Sequence, residues 1–371
     1  ICRTGAFAST GGGVIHREEK ISNYQLLISN ENLNQDIFER IISLENLVGA
    51  WGEFSRGKRK KPDVQAFEFS LEDNLILLAG QLRSGEYRLE PYTAFFVCDP
   101  KLRRIHKASV RDRVLLQAVY RIITPLFESQ FIHDSYSSRV GKGTHAGVAR
   151  LERFLIKQSA NASRPAWALK CDVSRFFDSV DHGILFELLR KQIVDERCLK
   201  LLRLIIDSFE TAPGKGLPLG NVTSQLFSNI YLYELDFFVK QRLRAKKYLR
   251  YCDDFVIVAI SRTETAQLIE PIREFLWERL KLTLHPKKIS IRTYHQGIDF
   301  LGYVLQPHHR LLRTKTKRRL LSKVTEHNFA SYAGMFAQCN GYGIYRTIEQ
   351  YDSHLRQHPI PAQRWLYFSH R

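Results

Sequence analysis

Three aspartates stand where the surrounding pattern says strand. The segment Tyr251-Cys-Asp-Asp-Phe-Val-Ile-Val258 sets two adjacent carboxylates, Asp253 and Asp254, at the mouth of an apolar, β-branched run. Aspartate is common in turns, so the pair alone also fits an ordinary turn. Strand formers lie on both sides, however, in Tyr248-Leu-Arg-Tyr251 and Phe255-Val-Ile-Val-Ala-Ile260, which reads as a hairpin bent at the two acids. Asp172 ends a second strand-like run, Trp167-Ala-Leu-Lys-Cys-Asp172. If the runs are neighbours, Asp172 and Asp253 meet at one edge of a sheet, and carboxylates so gathered repel unless a divalent cation neutralises them. Oxygen ligands that leave coordination positions open to phosphates suit Mg²⁺. Two such ions roughly 4 Å apart activate a hydroxyl and stabilise a leaving pyrophosphate. Successive strand residues point to opposite faces, so Asp253 is expected as the stronger ligand and Asp254 as its support. Asp178 and Asp181 read as helix caps.

The elements that must position these acids follow from apolar spacing. Helices are expected over Glu68–Leu82, Arg111–Phe127, Ile184–Lys191, Cys198–Phe209, Ser224–Arg242 and Ala266–Leu280. Strands are expected over Tyr92–Val97, Trp167–Val173, the 248–260 hairpin and within Lys288–Leu305. This order predicts a mixed α/β (α+β) sheet covered by helices on one face. Residues 1–65, with Gly11-Gly-Gly13 and the linker Arg56-Gly-Lys-Arg-Lys-Lys61, read as an N-terminal extension; 66–305 carry the main body, and 306–371 a helical C-terminal region.

Composition narrows the partner. The 371 residues carry 56 Lys+Arg against 38 Asp+Glu, a net of +18. Basic clusters recur at 56–61, 101–104, 240–247 and 313–319. Any one of them fits a solvated surface, but their recurrence points to a polyanion, foremost nucleic acid. Six scattered cysteines with no C-x-x-C pair argue against a zinc site or disulfide framework and fit a reducing cytoplasm. No apolar run approaches a membrane span.

From about Tyr92 onward the motifs, taken in order, resemble a bacterial retroelement reverse transcriptase. Asp99-Pro-Lys-Leu-Arg-Arg-Ile105 and Ala108-Ser-Val-Arg-Asp-Arg113 are similar to its fingers segments, and Ser135 to His145 to the block after them. Asp172 to Phe177 and Tyr251 to Asp254 resemble the two catalytic motifs, and Leu284-His-Pro-Lys-Lys288 the lysine-bearing segment beyond. Phe300-Leu-Gly-Tyr303 looks like the primer-grip hairpin, with Arg310-Leu-Leu-Arg313 leading into the thumb. One departure is informative. Where most such enzymes carry Q-G-x-x-x-S-P, this chain has Leu219-Gly-Asn-Val-Thr-Ser-Gln225, the version found in diversity-generating retroelements and in related lineages linked to phage defence.

The resemblance implies a right-hand polymerase fold with fingers, palm and helical thumb. It implies an RNA-directed DNA polymerase whose Asp172, Asp253 and Asp254 bind two Mg²⁺. By the same resemblance Lys101, Arg103 and Arg104 meet the triphosphate, and Phe177 gates the ribose. Leu219 and Gly220 lie beside the nascent pair in the segment closed by Gln225, and Lys288 approaches the leaving phosphate. Phe177 reads equally as a core aromatic, Lys288 as a turn lysine, and the arginines as a solvated loop. The implied partners are a template RNA, a DNA or RNA primer, dNTPs and, for the diversity-generating branch, a small basic accessory protein. Rival readings are a group II intron-like enzyme, a catalytically silent RNA-binding scaffold and a palm-fold nucleotide cyclase.

Overall fold

Apolar residues at helical spacing account for the first elements. The computed structural model describes residues 36–98, 102–323, 334–335 and 337–340. These divide into two units, one of residues up to 129 with 186–209 and 219–223, the other of 130–185, 210–218 and 224 onward.

In the first unit, helices α1 (Ile37–Ile42) and α2 (Leu44–Ser55) bury Ile37, Ile41, Leu47 and Trp51. The hydroxyl of Ser43 caps α2 by accepting the Asn46 amide. Helices α3 (Pro62–Phe69) and α4 (Leu71–Ser84) follow, α4 ending at Gly85 with φ +78°. One helix was expected across this stretch; the chain breaks it at Ser70. Strands β1 (Thr93–Cys98) and β2 (Leu102–Lys107) pair antiparallel, from Thr93 opposite Lys107 to Cys98 opposite Leu102. Helix α5 (Val110–Glu128) then packs on α2, and the Asn46 side chain donates to the carbonyls of Ile41 and Ala118. Residues 37–55 therefore share the core of this unit, and the boundary expected at residue 65 does not set them apart.

The second unit holds α6 (Thr144–Gln158), β3 (Trp167–Asp172) and the short α7 (Phe176–Ser179). Next come α8 (His182–Arg190), which belongs to the first unit from residue 186, and α9 (Glu196–Asp207), which lies wholly in the first unit. Then comes α10 (Val222–Phe237), which joins the second unit from residue 224 and runs on as a π turn to Arg242. Strands β4 (Tyr248–Tyr251) and β5 (Asp254–Ala259) form the expected hairpin, bent at Cys252–Asp253. One helix was expected over 266–280, but two are found, α11 (Arg262–Gln267) and α12 (Ile269–Leu280). Pro271 explains the break, since a residue without an N–H is tolerated only in a first turn. Strand β6 (Ser290–Thr293) completes a four-stranded antiparallel sheet in the order β4-β5-β3-β6. A separate meander, β7 (Ile298–Phe300), β8 (Tyr303–Gln306) and β9 (His309–Leu312), leads to α13 (Thr314–Lys323). Five successive β5 residues, 255 to 259, are buried, so this strand is covered on both faces, not on the single face expected. The core beneath joins Val148, Leu151, Leu249, Val256, Phe300 and Tyr303. The C-terminal region expected from 306 lies largely outside the described residues.

Candidate active site

Register brings the acids together. Strands β3 and β5 pair so that Asp172 stands directly opposite Asp254. Asp253 occupies the turn, and its carbonyl accepts the Val173 amide at 3.2 Å, fastening the turn to the end of β3. Residue 252 turns the chain at φ +54° without being glycine. The backbone of Asp172 is held from the other side, where its carbonyl accepts the His285 amide at 2.8 Å.

Charge at this edge is only partly balanced. Lys288 Nζ donates to Asp172 Oδ1 at 2.6 Å, and Lys170 Nζ lies 3.8 Å from Asp254 Oδ1. Lys170 stands two residues before Asp172 on β3, diagonal to Asp254, a separation that a long side chain spans. Asp253 has no ion pair among the described residues. Burial, then the neighbouring Asp172, pushes its carboxyl above the ordinary range. Burial raises Asp254 to about 6, with Asp172 and Asp253 adding to the rise against the pull of Lys170. Among the described residues no three His, Cys, Asp or Glu side chains are gathered round one point. The donor set nonetheless fits a hard divalent cation: acceptor-only oxygens, with the carboxyls of Asp253 and Asp254 held above the ordinary range by burial and then by acidic neighbours, an excess such an ion relieves. A cavity of about 260 Å³ opens beside Asp254, with Lys170, Lys287, Lys288 and Arg292 on its wall.

The other expected residues fall in several places. Phe177 is half-exposed on α7 and meets Phe176 edge-on at 5.3 Å; Phe176 is the buried member of the pair. Asp181 Oδ1 accepts the Ile184 amide, the capping role expected of it. Phe300 and Tyr303 are buried, and the β7–β8 hairpin turns through Leu301 and Gly302 at φ +48° and +92°. Gln225 is exposed on α10. In the first unit, Arg103 and Arg104 are exposed on β2, opposite Val97 and Phe96. The carbonyl of Leu219 accepts the His106 amide at 2.9 Å. Gly220 has φ +123°, and a Cβ there would lie 3.1 Å from Ile105 Cγ2. Lys101 lies outside the described residues.

Sequence reading missed Lys170 and a buried group around Arg250. Lys170 was legible in principle, since period two puts it on the face of Asp172. The signal for Arg250 was a charged residue inside an otherwise apolar strand.

An antiparallel sheet with three acids at one hairpin edge is the arrangement expected of a palm-type nucleotidyl-transferring enzyme. The comparisons carry this further. A family profile described as "Reverse transcriptase (RNA-dependent DNA polymerase)" matches residues 99–305, and the chain belongs to that family. Protein YkfC of Escherichia coli is 28% identical over 70% of this chain and 77% of its own. The group II intron-encoded protein LtrA of Lactococcus lactis subsp. cremoris is 24% identical over 73% of this chain, which spans about half of LtrA, 55%. Among solved structures, telomerase of Candida albicans in complex with a telomeric RNA fragment aligns at a TM-score of 0.45 and 13% identity, over 60% of this chain and 46% of that one. Among the described residues no helix is long and apolar enough to cross a membrane.

Proposed function

We propose that this chain is a template-copying reverse transcriptase that extends a primer along a template RNA with dNTPs, by nucleotidyl transfer at Asp172, Asp253 and Asp254. The observation that carries the reading is the in-register pairing of Asp172 with Asp254, with Asp253 in the turn between the strands. These three side chains would hold two Mg²⁺. When bound, the ions supply a lowered pKa at the primer hydroxyl and charge neutralisation at the triphosphate. Lys288 holds the Asp172 carboxylate in place and brings a proton-bearing ammonium to the leaving phosphate. Lys170 does the same positioning work for Asp254. A role for Arg103 and Arg104 in binding the triphosphate follows from the family resemblance alone. The fingers and palm extend to 305 in this reading, and the thumb begins at 306.

Two settings compete for the enzyme. The Leu219-to-Gln225 segment favours a diversity-generating retroelement that copies its template with errors at adenines, in which a small basic accessory protein is the partner. The likeness to a group II intron-encoded protein favours an intron-type element. A template and variable repeat in the adjoining DNA, differing at adenines, would separate them. The catalytic reading is tested by Asp253→Asn, which removes an acid and no phosphate contact. Extension is expected to vanish while filter-bound RNA is unchanged; normal extension by the variant overturns the assignment.

A further inference from the structure

Arg250 is the largest fully buried side chain of the described residues, and it lies one residue before Tyr251 in the catalytic hairpin. Its guanidinium grips Asp236 on α10 with both arms, Nε to Oδ1 at 2.8 Å and Nη2 to Oδ2 at 2.7 Å. The remaining Nη1 donates to Asn229 Oδ1 at 3.2 Å and to the backbone carbonyl of Cys252 at 3.1 Å. Tyr248 also donates to Asp236, at 2.6 Å, and the Asn229 amide anchors to the Ser137 carbonyl at 2.9 Å. The backbone of Arg250 is pinned as well, donating to Asp134 and accepting from Tyr136, each at 2.9 Å.

We infer that Arg250 is a positioning residue, which fixes the Cys252–Asp253 turn through the Cys252 carbonyl and so sets Asp253 and Asp254 against Asp172. Stability alone does not account for such a pair. A buried ion pair is often replaced by packed apolar side chains with no loss. What a guanidinium adds is a rigid fork that saturates Asp236 and leaves a third nitrogen aimed at the turn. The turn needs that hold, because residue 252 is a non-glycine in the left-handed region, a conformation that persists only when its surroundings impose it. Cys252 is thus held by Arg250 on one side of the turn, and Asp253 by the Val173 amide on the other. The inference rests on the proposed role of these acids in holding divalent cations.

The test uses the full chain carrying Arg250→Met with Asp236→Leu, which removes both buried charges together. Three quantities are read beside primer extension: Mn²⁺ binding by paramagnetic resonance, filter-bound RNA, and hydrogen exchange at the Val173 amide. A folded double variant is expected to bind RNA as the wild type does, to lose roughly 10- to 100-fold in Mn²⁺ affinity and extension rate, and to exchange the Val173 amide faster. Wild-type Mn²⁺ affinity and Val173 protection in that variant overturn the inference. If the double variant unfolds, Arg250→Lys is read in the same way: it keeps a charge against Asp236 but has no fork for Cys252, so wild-type values there overturn the inference equally. Should the wild type neither extend a primer nor bind Mn²⁺ differently from Asp253→Asn, the functional reading fails. Val173 exchange then still decides whether Arg250 holds the turn.

Discussion

Replacing Asp254 by asparagine should make the protein more stable and less active at once. Folding raises this carboxyl from its ordinary 3.8 to about 6, with burial first among the causes and Asp172 and Asp253 contributing. A folded-state pKa above the unfolded value means that the native state disfavours the ionised form. Stability from this group is therefore full below about pH 4 and is lost as pH rises through about 6. At 1.36 kcal/mol per pKa unit the loss near neutrality is about 3 kcal/mol. Asparagine removes that penalty. The 3.8 Å pairing with Lys170 already pulls against that rise, so its loss is counted within the shift. A gain of about 3 kcal/mol follows, or roughly 6 to 12 °C in the melting transition of a unit this size.

The assay is thermal melting of wild type and Asp254→Asn in chelator, across pH 4 to 8. The variant should gain its advantage between about pH 4 and 6 and hold it above. Adding Mg²⁺ should then stabilise the wild type and narrow the difference, because an ion that binds the folded state adds stability by mass action. Primer extension by the variant should be abolished. Equal melting temperatures at neutral pH, or an advantage that does not change with pH, would refute the burial and acidic crowding argued for Asp254.

Nucleic-acid binding should be steeply salt-dependent. Neutralising 6–10 phosphates costs roughly 10³- to 10⁵-fold in affinity between 50 and 200 mM salt, and a flat filter-binding titration would return the basic clusters to solvated surface. Phe177→Ala should admit ribonucleotides, because the family resemblance puts this half-buried ring at the position that excludes a 2′-hydroxyl; unchanged rNTP discrimination would remove it from that role. Leu219→Gln should raise fidelity opposite template adenine by roughly 2- to 10-fold, the worth of one neutral hydrogen bond. The Leu219 carbonyl anchor on His106 survives that change, so an active variant with an unaltered error spectrum in sequenced cDNA would rule the role out.

The hairpin and β3 were legible because period two, β-branched residues and a sharp polar interruption coincide there, and each survives in the fold. Helix interruptions at Ser70 and Leu268 were not, since neither residue is a strong breaker and the second break is imposed by Pro271, three residues on. Burial of β5 on both faces was written in the unbroken run Phe255 to Ile260, which has no alternating polar position. That signal marks a covered strand but does not say what covers it. Residues 37–55 read as an extension because the Gly-rich opening and the basic linker on either side outweighed their helical apolar spacing. That spacing is what places them against α5.

The two misses nearest the chemistry share a cause. In a chain with a net charge of +18, each lysine or arginine reads first as a contact for a polyanion. Lys170 and Arg250 are turned inward instead, and each sits two residues before an atom that the site depends on, Asp172 in one strand and the Cys252 carbonyl in the other. Residues two apart on a strand share a face, so Lys170 meets the acid edge, whereas Arg250 is buried against Asp236 and reaches the turn through the Cys252 carbonyl. Asp236, which makes the burial of Arg250 tolerable, comes from α10, fourteen residues upstream. That partner becomes visible only when the helix packs on the sheet, which is why Arg250, unlike Lys170 and Lys288, could not be placed at the site from the sequence.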